Sequence, residues 1–210
     1  MLTLFHTTSS NEALFRALLS EMGPEVPARH VVAADLLDRA AAQGCVTADI
    51  AADTRDRMQA ALDDGASMLL CTCSTLGTCA DQMNDPRVSR IDRAMARKAT
   101  AQGGRVLVAA CVASTIEPTV ILLREAGPAA HMETLLMADL WPYFRAGDNA
   151  RYWQGIAERL RERASAFDCI VLAQASMAGA ADLLRDLPVP VLSSPRIGLE
   201  AAIAEYRKLS

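Results

Sequence analysis

The chain has 210 residues, of which 51% are hydrophobic, enough to fill either one large domain or two compact lobes without disulfide staples. Its formal net charge is only −4, and basic runs such as Arg87 to Arg97 are interleaved with acids, which argues against nucleic-acid binding. No apolar run approaches the roughly 18 to 20 residues of a membrane span and no leader pattern opens the chain, so the expectation is a cytoplasmic protein.

In chain order, the run LTLFHTTSS (2–10) begins as a buried strand, ends in hydroxyl-bearing residues and leads into the helix-compatible NEALFRALLSEM. A helical stretch from about Thr47 to Asp64 stops at Gly65, and the apolar run MLLCTCSTLGT (68–78) again breaks into small polar residues, with Cys79 falling in the helix that follows. In the second half GRVLVAACVAST (104–115) is a strand ending at Ser114 and Thr115, and Pro118 fits the first turn of the next helix. Then come a helix over about Asn149 to Phe167, the strand CIVLAQASMAG (169–179), another helix, the strand PVPVLSSPR (188–196) and a last helix. Strands alternating with helices, in a chain with only 4% aromatics, predict an α/β fold with parallel sheets.

The halves correspond. LTLFHTT matches VLVAACV at an offset of about 104, LLCTCSTLG matches VLAQASMAG at about 101, and DPRVSRIDRAMA (85–96) matches VPVLSSPRIGLEA (189–201). This predicts two pseudo-symmetric Rossmann-like lobes, each a mostly parallel sheet flanked by helices, with 1–97 plus 193–210 forming the first and 98–192 the second. Ligands of open parallel sheets bind beyond the carboxyl ends of the strands, so facing lobes would aim four polar strand ends into one interlobe cleft. Hydroxyls and helix starts suit a small carboxylate or dicarboxylate.

The six cysteines, Cys45, Cys71, Cys73, Cys79, Cys111 and Cys169, form no CxxC pair and are expected as reduced thiols; no histidine lies near Cys71, Cys73 or Cys79 in sequence, so no metal site is predicted.

The motifs HTTSSN, CTCSTLG, CVASTIEPT, VLAQASMAG and PVLSSPRIGLEA, in this order and spacing, resemble the aspartate/glutamate/hydantoin racemase superfamily over nearly the whole chain. The resemblance implies cofactor-independent chemistry at carbon next to a carboxylate, carried by two cysteines, one per lobe. Cys73 matches the first. Gln174 stands where the second is expected, while Cys169 lies at the start of its strand, away from the catalytic end. Because Gln has no titratable proton, the resemblance is to a divergent member: a racemase-like isomerase with Cys73 as proton carrier or nucleophile, alternatively a one-cysteine decarboxylase or other lyase, or a non-catalytic metabolite-binding protein. The matching substrate-binding positions are Thr7, Ser9, Asn11, Ser74, Thr75, Ser114, Thr115, Gln174 and Ser176. His6, His30 and His131 are expected to be structural, and Arg196 solvated unless it meets a second carboxylate. The segment from His131 to Gly147, with Trp141, Pro142 and Tyr143, is read as a loop that serves as a lid or a partner surface. A homodimer is the default assembly.

Overall fold

The computed structural model describes residues 1–209. The first apolar run becomes β1 (Leu2–His6), buried throughout, and Thr8 ends it by capping α1 (Ser9–Met22), its hydroxyl accepting the Asn11 N–H at 3.1 Å. There follow β2 (Ala28–Val32), α2 (Ala34–Gln43), α3 (Ala48–Asp63), β3 (Met68–Cys71), α4 (Gly77–Gln82), β4 (Val88–Arg90) and α5 (Arg93–Thr100). The second half repeats the scheme with β5 (Gly104–Ala110), α6 (Ile116–Ala126), β6 (Ala130–Leu136), α7 (Trp141–Arg145), α8 (Asn149–Arg161), β7 (Cys169–Leu172), α9 (Ala178–Asp182), β8 (Val191–Ser193) and α10 (Ser194–Leu209).

Each half forms its own four-stranded sheet, in the orders β2-β1-β3-β4 and β6-β5-β7-β8, with every pair parallel. The internal repeat holds at the level of register. Leu2 pairs with Met68 as Val106 pairs with Cys169, and Leu69 pairs with Val88 as Ile170 pairs with Val191. Residues separated by the sequence offsets therefore occupy equivalent places, and the loose third match corresponds to β4 and β8.

Three strands that sequence reading passes over, β2, β4 and β6, have a common reason. The strands lie at sheet edges: β2 is half-buried and β6 largely exposed, so neither carries the continuous apolar run of the central strands. The stretch from His131 to Gly147, expected as a loop, is instead most of β6 followed by α7. Helix α2 closes on Gly44, which takes a left-handed conformation (φ 72°).

Packing crosses the chain order. Leu199, Ala202 and Ile203 of α10 pack with Leu2, Leu4 and Phe15 of the first lobe, whereas Met95, Ala96 and Ala99 of α5 pack with Val106, Val108 and Val171 of the second. The lobe boundaries 1–97 plus 193–210 and 98–192 stand as a proposal, and α5 straddles the cut. Beneath the first lobe's site lies a buried ionic cluster. Arg90 binds Asp92 through Nε at 2.7 Å and Nη2 at 2.9 Å, and reaches Asp81 through Nη1 at 2.9 Å. Gly77 is required above it, because a Cβ there would lie 2.3 Å from the guanidinium carbon. Among the described residues no helix is long and apolar enough to cross a membrane.

Candidate active site

The carboxyl ends of β1, β3, β5 and β7 meet between the lobes, and the turns after them wall a small pocket. Thr7, Asn11, Cys73, Ser74, Thr75, Thr115, Gln174 and Ser176 all line it, so eight of the sequence-predicted residues come together. The cavity is about 30 Å³, the space of one or two waters.

Two do not share that wall. Ser9 is exposed in the first turn of α1, because the cap at Thr8 starts the helix at Ser9 and rotates it outward. Ser114 faces an adjoining cavity that shares only Thr75 with the pocket, and its hydroxyl is buried with no hydrogen-bond partner. Residues 113–115 form a tight turn after β5, and the turn sends Ser114 and Thr115 to different sides; a sequence cannot reveal that rotation.

Cys73 is buried, immediately before the short turn 74–76. Burial pushes its thiol pKa upward. Hydrogen bonds from the Thr7 hydroxyl, the Leu76 and Thr75 backbone N–H groups and the Thr75 hydroxyl pull the other way by favouring the thiolate. Thr75 also bonds Thr115 across the lobes, hydroxyl to hydroxyl at 2.8 Å. At the offsets of the repeat, Asn11 and Ser176 are the counterparts of Thr115 and Thr75, and all four line the pocket.

Gln174 occupies the position in the second lobe that Cys73 occupies in the first. Its side-chain oxygen accepts two backbone N–H groups, from Cys111 at 2.6 Å and Val112 at 3.0 Å. Only the amide oxygen can accept both, so the orientation is fixed and Nε2 is left as a donor for the pocket. Ser176, on the same side, bonds the Tyr152 hydroxyl at 3.1 Å, while the Trp153 indole N–H donates to the Ser176 carbonyl at 2.8 Å. Cys73 is the only titratable side chain on the pocket wall, which carries no Asp, Glu, Lys, Arg or His.

The outer side is closed by Trp141 and Phe144 of α7, stacked with ring centroids 4.9 Å apart. Trp141 packs against the hydrophobic cores of both lobes, and Arg145 on the same helix pairs with Asp38 of α2 at 2.6 Å. Sequence reasoning does not reach Leu37 or Phe144, whose residue types in ordinary helices give no signal of a site.

His6 lies behind the wall. It bonds Thr72 through Nδ1 at 2.8 Å and His30 through Nε2 at 2.8 Å. The Thr72 hydroxyl donates to the Phe5 carbonyl at 3.1 Å and so accepts the proton of His6 Nδ1; His6 Nε2 then accepts from His30. Burial, aided by His30, lowers the His6 pKa to about 3, which keeps the ring neutral. Arg196 is engaged by Glu21 through both guanidinium nitrogens at 2.9 and 2.8 Å.

No family model matches the chain, and no curated protein matches it by sequence. Solved structures do match in fold. A glutamate racemase isoform from Bacillus anthracis aligns with 99% of this chain and 82% of its own length at 14% identity, with a TM-score of 0.74. An aspartate racemase from Picrophilus torridus gives the same identity and TM-score, over 99% of this chain and 94% of its own. An arylmalonate decarboxylase variant aligns with 97% of this chain and 91% of its own at 19% identity and a TM-score of 0.59. The chain thus has the two-lobed fold of the glutamate and aspartate racemases.

Proposed function

We propose that the protein is a member of the aspartate/glutamate racemase superfamily that transfers a proton at the carbon next to a carboxylate, without a cofactor, using Cys73 as its sole proton carrier. The observation that carries this reading is a lone thiol set among hydroxyl-bearing side chains in a small pocket whose wall holds no other titratable group. The same wall offers donors for the carboxylate as enolate charge develops: the hydroxyls of Ser74 and Ser176, the Asn11 side chain and Gln174 Nε2. Gln174 orients rather than titrates. Two-thiol racemisation is therefore disfavoured, and a racemase-like isomerase would have to run with one proton carrier.

Decarboxylation is the second reading, favoured by the resting state of Cys73. Burial holds it as the thiol, ready to donate rather than to abstract. In that reaction the bond from the α-carbon to one carboxylate breaks, carbon dioxide leaves, and the electron pair stays on the α-carbon as an enediolate. The Cys73 proton then moves to that carbon, and water reprotonates the thiolate. The fold match to an arylmalonate decarboxylase is consistent with this alternative.

The test is proton NMR in D2O with small mono- and dicarboxylic acids, wild type beside Cys73→Ala. Exchange of an α-proton, isomer conversion or loss of carbon dioxide in the wild type alone is the expected result. Absence of turnover across the set, with equal binding by both proteins, would contradict it in favour of a metabolite-binding protein.

A further inference from the structure

The pocket around Cys73 is only about 30 Å³, whereas a groove of about 830 Å³ lies directly beside it. The two share Asn11, Phe144, Ala175 and Ser176 as a common wall. The groove runs between α1 of the first lobe and α9 of the second, and its lining includes Leu14, Leu18, Trp153, Leu183 and Pro195. Building on the proposed chemistry, we infer that this groove is the subsite for an apolar substituent of the substrate, and that the substrate is a carboxylic acid carrying such a substituent and no ammonium group.

Three observations support it. The pocket wall has no carboxylate, so an α-ammonium would be taken out of water with no counter-charge, a cost that hydroxyls alone do not offset. The charged groups of the groove are already engaged: Arg196 with Glu21, and Arg185 with Asp182 at 2.6 Å. No unpaired cation is left there for a distal carboxylate, and the remaining lining beyond the shared wall is mostly apolar, broken by Ser10, Asn149 and Ser193. Finally, the shared wall is held in place. The Trp153 indole fixes the Ser176 carbonyl, and the ring lies so close to Gly179 that a Cβ there would sit 2.4 Å from it. The side of the groove next to the reacting carbon is thus pre-formed, which lowers the ordering cost of binding.

Titration calorimetry with 2-alkylmalonates from methyl to hexyl tests the inference, using wild type and, where turnover intervenes, Cys73→Ala. Dissociation constants are expected to fall by roughly fourfold per methylene at full burial. Leu14→Gln combined with Leu183→Glu should flatten that trend and leave methylmalonate binding unchanged; Leu183 is 42% exposed and neither leucine belongs to a core cluster, so the fold should persist. Aspartate and glutamate should not compete. Dissociation constants independent of chain length in the wild type, a trend that survives the double substitution, or aspartate binding as tightly as hexylmalonate would overturn it. Conversion of a dimer to a monomer by the double variant with the trend intact would assign the groove to contact between copies instead. The two proposals fail separately: methylmalonate turnover with a flat trend removes the groove and keeps the chemistry, and a clear trend without turnover does the reverse.

Discussion

The ends of β3 and β7 are equivalent by register, yet one carries a thiol and the other an amide. At the first, hydroxyl and backbone N–H groups gather around the Cys73 sulfur. At the second, the backbone N–H groups of Cys111 and Val112 are consumed by the Gln174 oxygen. The same scaffold thus presents a thiol from one lobe and an amide from the other, which the proposed function reads as a reactive group facing a hydrogen-bonding one. Backbone symmetry does not imply chemical symmetry: one side chain per lobe makes the two strand ends chemically different.

The largest effect should come from removing the reactive half. Cys73→Ala is expected to lower turnover by about 10²- to 10⁴-fold without a loss of thermal stability comparable to a core mutation, measured as initial rates beside a melting curve. An unaffected rate would show that the lobes do not differ in the way described.

Next in size is the buried ionic cluster of the first lobe, where Arg90 stands at the place that Ser193 takes in the second. Arg90→Met leaves Asp92, fully buried, without its cation and should cost about 3–5 kcal/mol in urea denaturation. A loss under about 1 kcal/mol would mean that the cluster relaxes by admitting water.

The histidine pair is likewise confined to the first lobe and makes that lobe acid-sensitive. His6 has a folded pKa of about 3 against an ordinary 6.5, so between these values the unfolded chain binds the extra proton. The stability linked to His6 is complete above about pH 6.5 and is lost as pH falls toward 3. Urea midpoints measured across that window should drop in the wild type and drop less in His6→Gln; parallel profiles would remove His6 as the cause.

The smallest effect concerns the amide. Gln174→Ala strands the N–H groups of Cys111 and Val112 and should cost about 1–3 kcal/mol, read as a lowered urea midpoint. No change would indicate that water replaces the amide oxygen.

Much of this was legible in the sequence because the central strands are buried on both faces and end in conspicuous polar clusters. The repeat places the strand ends that carry Cys73, Thr75, Thr115 and Gln174, and the resemblance to the racemase superfamily singles out Cys73 and Gln174 among them. The edge strands β2, β4 and β6 were not legible, since their half-exposed residues lack a continuous apolar signature. Ser9 and Ser114 show a second limit: sequence places a residue at a strand end, but the phase of the following turn decides whether it faces the pocket. The contacts of Arg90 with Asp81 and of His6 with His30 depend on strand register and side-chain direction, neither of which composition or local pattern contains.

The most direct test of the unequal lobes is the stereochemistry of solvent deuterium incorporation by the wild type and Gln174→Cys, using a turned-over acid whose product has a stereogenic α-carbon. The wild type, with Cys73 alone, is expected to favour one face, and Gln174→Cys, with a thiol on each side, to deliver deuterium to both faces equally. Equal delivery by the wild type itself would reveal a second proton carrier and contradict the assignment of Cys73 as the only one.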